Sequence, residues 1–316
     1  MQTPLDIGVD VASKTVLAAC ATRRFAPRTV ANECRSLRAW LKALPAGSRL
    51  GLESTGNYHQ LLADLAHAAG LTVYVVNARD LKKYAEGVGR RGKTDRLDAE
   101  VIARFVAHEH ERLHAYVPRS AAHCRLEQLL KRRGKAVAQQ VSLQQSWQGI
   151  AGVKAEVAAV AKAYARLLAR VDQLTAQALE ELPEVKVRVR QVRTIPGYGK
   201  LGSVAIAHAL TRLPFTKVDA FIAHTGLDPR PDDSGDKRGR RRLSKRGPAE
   251  LRRVMHTCAM SATRSKVWRP YYLAQRAKGL SGTAAVVVLA RKMARTAYGI
   301  CKQNITFDPS RVMSTA

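Results

Sequence analysis

The sequence predicts a mixed fold, an α/β domain followed by an all-α region, and three observations carry that prediction. Near the start, Leu5, Ile7, Val9 and Val11 alternate with Asp6, Gly8 and Asp10, the period-two pattern of a half-buried strand, and strand-like and helix-like stretches then succeed one another. After Pro118 the composition turns Ala/Leu/Gln/Arg-rich with few aromatics, as expected of long helices. The charge is also unevenly placed. With 54 Lys+Arg against 25 Asp+Glu the 316-residue chain carries +29, yet residues 1–118 hold 17 basic against 12 acidic residues and residues 119–316 hold 37 against 13. A field of that size points to nucleic acid as the partner, with the acidic groups concentrated in a catalytic head and the basic ones in a gripping body.

Taken in order, the alternation at 5–11 makes the first strand. Ala12-Ser13-Lys14 turns the chain into a second strand, Thr15 to Ala21, and Arg28 to Asn32 reads as a third, an antiparallel meander. A helix around Ser36 to Leu44, a short strand Arg49 to Glu53, a helix from Tyr58 to Ala69 and an apolar strand Leu71 to Asn77 complete the order β-β-β-α-β-α-β. Asp95 then opens a helix whose apolar stripe is Leu97, Val101, Ile102, Phe105 and Val106. Between Pro118 and Glu184, broken softly at Gly149-Ile150-Ala151-Gly152, we expect two long antiparallel helices forming a coiled coil that pairs subunits. Thr194 to Ser203 contains Pro196-Gly197-Tyr198-Gly199-Lys200, a turn before a helix at Val204 to Leu210. Such a turn exposes backbone N–H groups to phosphate and resembles helix-hairpin-helix DNA-binding turns, although a purely structural tight turn has the same pattern. Eight of the twenty residues in the loop Asp228 to Gly247 are Arg or Lys. Helices at Pro248 to Ser265, Tyr271 to Lys278 and Thr283 to Lys302 end the chain. The expected domains are therefore 1–118, 119–190 and 191–316.

The strand order matters for chemistry, because in an RNase H-like fold the first and fourth strands are central neighbours and the last helix packs its N-terminus beside them. That would gather Asp10, Glu53, Asp95 and Asp98. Asp95 and Asp98 share a helix face, and converging carboxylates repel unless a cation lies between them. Four such groups would hold two Mg²⁺ ions, which stabilise the attacking and leaving oxygens of an in-line displacement at phosphorus. The bland alternative is that Asp95 caps its helix and Asp98 favours the first turn. Arg90, Arg91 and Lys93, just before this helix, would stand at the mouth of the site where phosphates pass.

Other motifs compete. His110-Glu111-Arg112-Leu113-His114 matches HExxH, but Arg112 between the ligands, Pro118 close behind and the lack of a third ligand make it a chance match. Ser234, in Asp232-Asp233-Ser234-Gly235, is an exposed candidate nucleophile followed by the cations Lys237, Arg238, Arg240, Arg241 and Arg242. Ser244, in Leu243-Ser244-Lys245-Arg246-Gly247, is the rival nucleophile or a helix cap or phosphate contact, with Lys245 and Arg246 binding nucleic acid beside it. Trp268-Arg269-Pro270-Tyr271-Tyr272 would stack on bases or pack between helices. The cysteines Cys20, Cys34, Cys124, Cys258 and Cys301 form no paired motif, so reduced thiols and a cytoplasmic setting are expected. No signal peptide is expected from Met1-Gln2-Thr3-Pro4, and the longest apolar run, Ala284 to Ala290, is too short for a bilayer.

Read together, Ile7-Gly8-Val9-Asp10, Glu53-Ser54-Thr55-Gly56-Asn57-Tyr58, Gly92-Lys93-Thr94-Asp95-Arg96-Leu97-Asp98-Ala99, Ile195-Pro196-Gly197-Tyr198-Gly199, Ser234-Gly235 and Leu243-Ser244-Lys245-Arg246-Gly247 resemble the DEDD transposases of bridge RNA-guided insertion sequences, relatives of the pilin-type DNA invertases. The resemblance runs from about residue 5 to 300, and its one small departure is Leu243 where isoleucine is usual. It implies a RuvC-like domain, a coiled-coil linker and a helical transposase domain. It further implies a Mg²⁺-binding tetrad at Asp10, Glu53, Asp95 and Asp98, with Mn²⁺ as a substitute, and a serine nucleophile at Ser234. The implied partners are target and donor DNA, a noncoding bridge RNA, and other copies of the chain in dimers that join into tetramers. The expected activity is an RNA-guided DNA recombinase working through a phosphoserine link. The alternatives are a metal-dependent junction resolvase or nuclease using water, and a non-catalytic nucleic-acid-binding protein.

Overall fold

The computed structural model describes residues 3–22, 26–54, 57–89, 92, 94–231, 233–234, 239 and 241–310. The chain forms two compact units, Met1–Arg119 and Ser120–Ala316.

In the first unit β1 (Asp6–Val11), β2 (Thr15–Cys20), β3 (Arg28–Ala31), β4 (Arg49–Glu53) and β5 (Thr72–Val76) form one sheet in the order β3-β2-β1-β4-β5. The meander is antiparallel, while β1–β4 and β4–β5 are parallel. Strict alternation gives each strand two faces. Ile7 and Val9 of β1, with Leu50 and Leu52 of β4, face α1 (Cys34–Lys42) and α2 (His59–Ala68), burying Leu37, Trp40, Leu41 and Leu62. Tyr74 and Val76 of β5 face the other way and pack with Ile102 and Val106 of α4 (Asp95–Glu109). At one end of the central pair, Arg49 donates two hydrogen bonds to Asp6, at 2.5 and 2.9 Å. The sheet and helix order is the mixed α/β arrangement expected of an RNase H-like domain. One element departs from expectation. Residues 78–87 form α3 (Ala78–Gly87), capped by the Asn77 side chain accepting from the Arg79 amide, where no helix was foreseen. Leu81 is its only buried residue, so it has no apolar stripe to betray it.

The second unit is helical apart from a short antiparallel pair. α5 (Ala121–Ser146) and α6 (Lys154–Glu180) form a long hairpin, as the break at 149–152 foretold. Along α6 the covered positions include Val157, Ala161, Tyr164, Leu168, Val171, Thr175 and Ala178, stepping by four and three alternately, with Leu174 and Leu179 widening the stripe at its C-terminal end. Near its base the hairpin shares a core with the next two helices: Leu126 and Ala178 pack with Val185 and Val189 of α7 (Pro183–Arg193) and with Val204 and Ala207 of α8 (Lys200–Arg212). α8 starts four residues earlier than its apolar pattern suggested, directly at the glycine turn. α9 (Val218–Thr225) was not foreseen, being a single short helix ending at Gly226 in left-handed conformation (φ 68°). α10 (Ala249–Ala262), α11 (Arg269–Ala277) and α12 (Gly282–Gln303) surround a core holding Phe221, Met255, Trp268, Leu289 and Met293. Among the described residues no helix is long and apolar enough to cross a membrane, and all five cysteines are free.

Candidate active site

The acidic cluster is built from two glycines. In β1, Gly8 and Asp10 share the face opposite Ile7 and Val9, and in β4 Gly51 and Glu53 share the face opposite Leu50 and Leu52. Helix α4 lies directly on these glycines. A Cβ at Gly8 would meet the Ala99 carbonyl oxygen at 2.1 Å and the Ala103 nitrogen at 2.2 Å, and one at Gly51 would meet Val106 and Ile102 side chains at 2.6 and 2.7 Å. Two residues beyond each glycine stands a carboxylate. The parallel register pairs Val9 with Leu52, so the next step along the strands sets Asp10 beside Glu53. With Ala99 over Gly8, the preceding turn of α4 carries Asp95 and Asp98 over Asp10.

Asp10 reports the result electrostatically. Its carboxyl is held above the ordinary range, first because half-burial strips it of water, then because Asp95, Asp98 and Glu53 all repel its charge. Thus Asp10 lies within the field of the other three carboxylates. The capping alternative fails for Asp95, because Thr94 is the N-cap and accepts from the Leu97 amide at 3.3 Å. Both aspartates sit in the first turn, where the helix dipole favours negative charge. Among the described residues no three His, Cys, Asp or Glu side chains converge tightly enough to hold a metal ion. The donor set nevertheless fits one kind of ion. Four carboxylates, with no thiolate or imidazole among them, suit a hard divalent cation, and the repulsion on Asp10 is what such a cation would relieve.

A residue that sequence reasoning missed ties this end of the sheet together. Asn32, just past β3, donates from Nδ2 to the Ala12 carbonyl at 2.9 Å and to the Tyr58 carbonyl at 3.3 Å, joining the loops that follow Asp10 and Glu53. Arg90, Arg91 and Lys93 lie outside the described residues. The HExxH match dissolves: α4 ends at Glu109, His110–Arg112 is a single 3₁₀ turn and Leu113 is extended, so the two histidines share no helix face.

In the second unit the serine loop springs from a stapled neck. The pair β6 (Pro229–Arg230) and β7 (Arg242–Leu243) is short, but the Ser244 amide donates to the Asp228 carbonyl at 3.0 Å and the Lys245 amide to the Gly226 carbonyl at 3.2 Å. Ser244 is buried and its hydroxyl is hydrogen-bonded to the Asp228 carboxylate. Gly247 is pressed so closely on α9 that a Cβ would meet the His224 carbonyl oxygen at 1.8 Å, and Arg252 donates to the Thr225 and Gly247 carbonyls. Ser234, by contrast, is exposed. Its neighbour Asp233 accepts from the Gly239 amide at 3.2 Å and pairs with Arg241 at 2.7 Å. Arg242 ends the neck, while Lys245 (φ 54°) and Arg246 are exposed beside it. Lys237, Arg238 and Arg240 lie outside the described residues. Asp228, Arg252 and Gly247 are the parts of this site that carried no recognisable chemical signal.

The glycine turn is also tightly built. Gly197 (φ 100°) leaves 2.6 Å between a would-be Cβ and the Ala262 Cβ, and Gly199 is the N-cap of α8 with no side-chain cap, followed by exposed Lys200. Trp268 is fully buried and donates from Nε1 to the Pro196 carbonyl at 3.0 Å, so it braces the turn rather than stacking on bases.

Comparison with known proteins places both units among transposases. Residues 7–150 match a transposase family of the DEDD IS110 type, and residues 189–273 match the transposase IS116/IS110/IS902 family. The chain is 26% identical over 317 residues to the pilin gene-inverting protein of Moraxella lacunata, covering 96% of this chain and 97% of that one. It is 27% identical over 252 residues to the transposase for insertion sequence element IS1328 of Yersinia enterocolitica, covering 69% and 75% of the two chains. A third relative, from an insertion element IS116 of Streptomyces clavuligerus, is 29% identical over 125 residues, or 39% of this chain and 31% of that one. The chain therefore carries the transposase domains of the IS110 family, in order along its length, and is a DNA recombinase/transposase.

Proposed function

We propose that the chain mobilises an insertion sequence as an RNA-guided recombinase, cutting and rejoining DNA through a covalent link at Ser234. The observation that carries the reading is the joint repulsion of Asp95, Asp98 and Glu53 on Asp10, four carboxylates gathered on one end of a sheet. Asp10, Glu53, Asp95 and Asp98 would hold Mg²⁺, two ions per site with Mn²⁺ as a substitute, and bound there the ions supply positive charge to a phosphodiester under attack. The serine assignment rests on contrast: Ser234 is exposed, whereas Ser244 is buried and committed to Asp228.

In the step itself the Ser234 Oγ–P bond forms as the bond from phosphorus to one sugar oxygen breaks. The hydroxyl proton leaves to water, and the departing sugar oxygen takes one up. Attack by a sugar hydroxyl of the second DNA reverses both changes, so no phosphodiester is lost and no ATP is needed. The exposed cations Lys200, Arg241, Arg242, Lys245 and Arg246 and the uncapped amides after Gly199 would grip the backbone, together with Arg90, Arg91, Lys93, Lys237, Arg238 and Arg240. The residues fall into a RuvC-like domain at 1–118, a coiled-coil linker at 119–190 and a transposase domain at 191–316. The exposed Trp147, Ile150, Val160 and Leu167 support the linker as the place where subunits pair, first into dimers and then tetramers. A bridge RNA would select target and donor, as in the resembled family.

The test is to trap the protein on labelled DNA under denaturing conditions. Wild type and Ser244→Ala are expected to form an adduct and Ser234→Ala none; an adduct in Ser234→Ala, or hydrolysed ends without any adduct, overturns the serine assignment. Purified protein that carries no discrete RNA and recombines without added RNA overturns the guide.

A further inference from the structure

We infer that the exposed basic face of α3 is a docking surface for the sugar–phosphate backbone of the DNA that reaches the carboxylate cluster. Arg79, Lys82 and Lys83 stand at i, i+3 and i+4, hence on one face, and all three are exposed. Among the described residues no acidic side chain pairs with any of them, whereas Arg49, Arg96, Arg133, Arg253 and Arg295 each sit against a carboxylate. The opposite side of the helix is fixed. Leu81 is buried with Ile102 and Val106 of α4, the Tyr84 ring meets Phe105 edge-on at 5.1 Å, and its hydroxyl is 2.9 Å from His108 Nδ1. The basic face is thus held rigidly outward.

Its location gives the face a purpose. Glu53 pairs in register with Val76, the last residue of β5, and α3 begins two residues later. The helix therefore leaves the sheet at the end where the carboxylates gather, and Arg79 lies in its first turn. Arg79 and Lys83 are about 6 Å apart along the helix axis. A strand's phosphates recur about every 3.4 Å along a duplex axis, so the stripe spans neighbouring phosphates of one strand. A cluster of like charges repels the DNA it must cut, and three unpaired cations on its rim offset that repulsion without entering the site. An internal control exists. Helix α1 carries a stripe of equal charge, Arg35, Arg38 and Lys42, also exposed, but on the other face of the sheet, where Leu37, Trp40 and Leu41 pack.

The inference rests on the reading of the carboxylates as the DNA-cutting site, and its test is separable from that chemistry. Full-length protein is titrated into a labelled 30-base-pair duplex in chelator over a salt series, comparing Arg79→Gln/Lys82→Gln/Lys83→Gln with Arg35→Gln/Arg38→Gln/Lys42→Gln. Glutamine is helix-compatible at exposed positions, and thermal melts of both variants verify folding. For the α3 variant the slope of log K against log salt is expected to become shallower by about 2 to 3, with binding about two orders of magnitude weaker at 0.1 M salt. The α1 variant should leave the slope unchanged. Equal losses in the two variants, or no loss in either, overturn the proposal, and so does a loss seen only with a structured RNA hairpin in place of the duplex. Because no cleavage is involved, an unchanged slope sinks the α3 surface alone, while a failed Ser234 or metal assignment leaves the binding result standing.

Discussion

The carboxylates of the first unit and the serine loop of the second are positioned by opposite means. Asp10 and Glu53 sit on regular strands, two residues past glycines that seat a helix, so backbone periodicity aims them. Ser234 sits on a loop whose aim depends on its neck: a buried serine on an aspartate, a glycine against a helix end, and an arginine bridging two carbonyls. The first arrangement tolerates no change in spacing between sheet and helix. The second is fixed at its base, where Ser244, Gly247 and Arg252 are locked in place, and leaves Ser234 exposed.

The largest effect is expected at Gly8. Valine there would drive its side chain into the α4 backbone at Ala99 and Ala103, which cannot give way. We expect a loss of roughly 3 kcal/mol confined to the first unit. Calorimetry showing the second unit melting earlier, or no change in the first, would contradict the seat.

A smaller effect should appear in the second unit on acidification. Burial, and then the nearby Arg212 cation, lower the His224 pKa from 6.5 to about 4. Above pH 6.5 the imidazole is neutral whether folded or not and costs nothing. As pH falls from 6.5 towards 4 the unfolded chain takes up a proton that the folded one refuses, so stability is lost across that window, by about 2 kcal/mol after allowing for partial exposure. His224→Gln should flatten this dependence; an unaltered profile would remove His224 as its source.

The mildest change sharpens the contrast between neck and tip. Ser244→Ala deprives the Asp228 carboxylate of a hydroxyl donor and should cost the second unit about 1.5 kcal/mol in urea melts, with the Ser234 adduct still forming. Stability unchanged by the substitution would show that the neck is not held there.

Legibility in the sequence divides along the same line. The strand alternation and the three-residue spacing of Asp95 and Asp98 are periodic signals, and they pointed to the three carboxylates whose charge Asp10 feels. Gly8 and Gly51 were equally visible but carried no pattern, because a glycine's importance lies in what lies above it. Helix α3 was missed since it buries only Leu81 and its charged residues read as loop, and α9 since eight residues make too few turns to show a stripe. The Ser244 lock looked like part of a basic loop: a serine among cations suggests phosphate, and only packing against Asp228 shows it turned inward. For Trp268 the sequence left stacking and packing both open, and the burial of its indole under the Pro196 carbonyl decides for packing.

The seating of α4 also sets a clock. The strands bearing Asp10 and Glu53 are made early, but the helix that completes their company lies some forty residues further along than β4, and its contacts with β1 span about ninety residues. Such distant pairings form late, both on the ribosome and in refolding. Until residue 109 has emerged, half of the acidic cluster has no place to dock. A nascent or truncated chain therefore carries Asp10 and Glu53 without their partners, and Asp95 and Asp98 join them only in the finished domain.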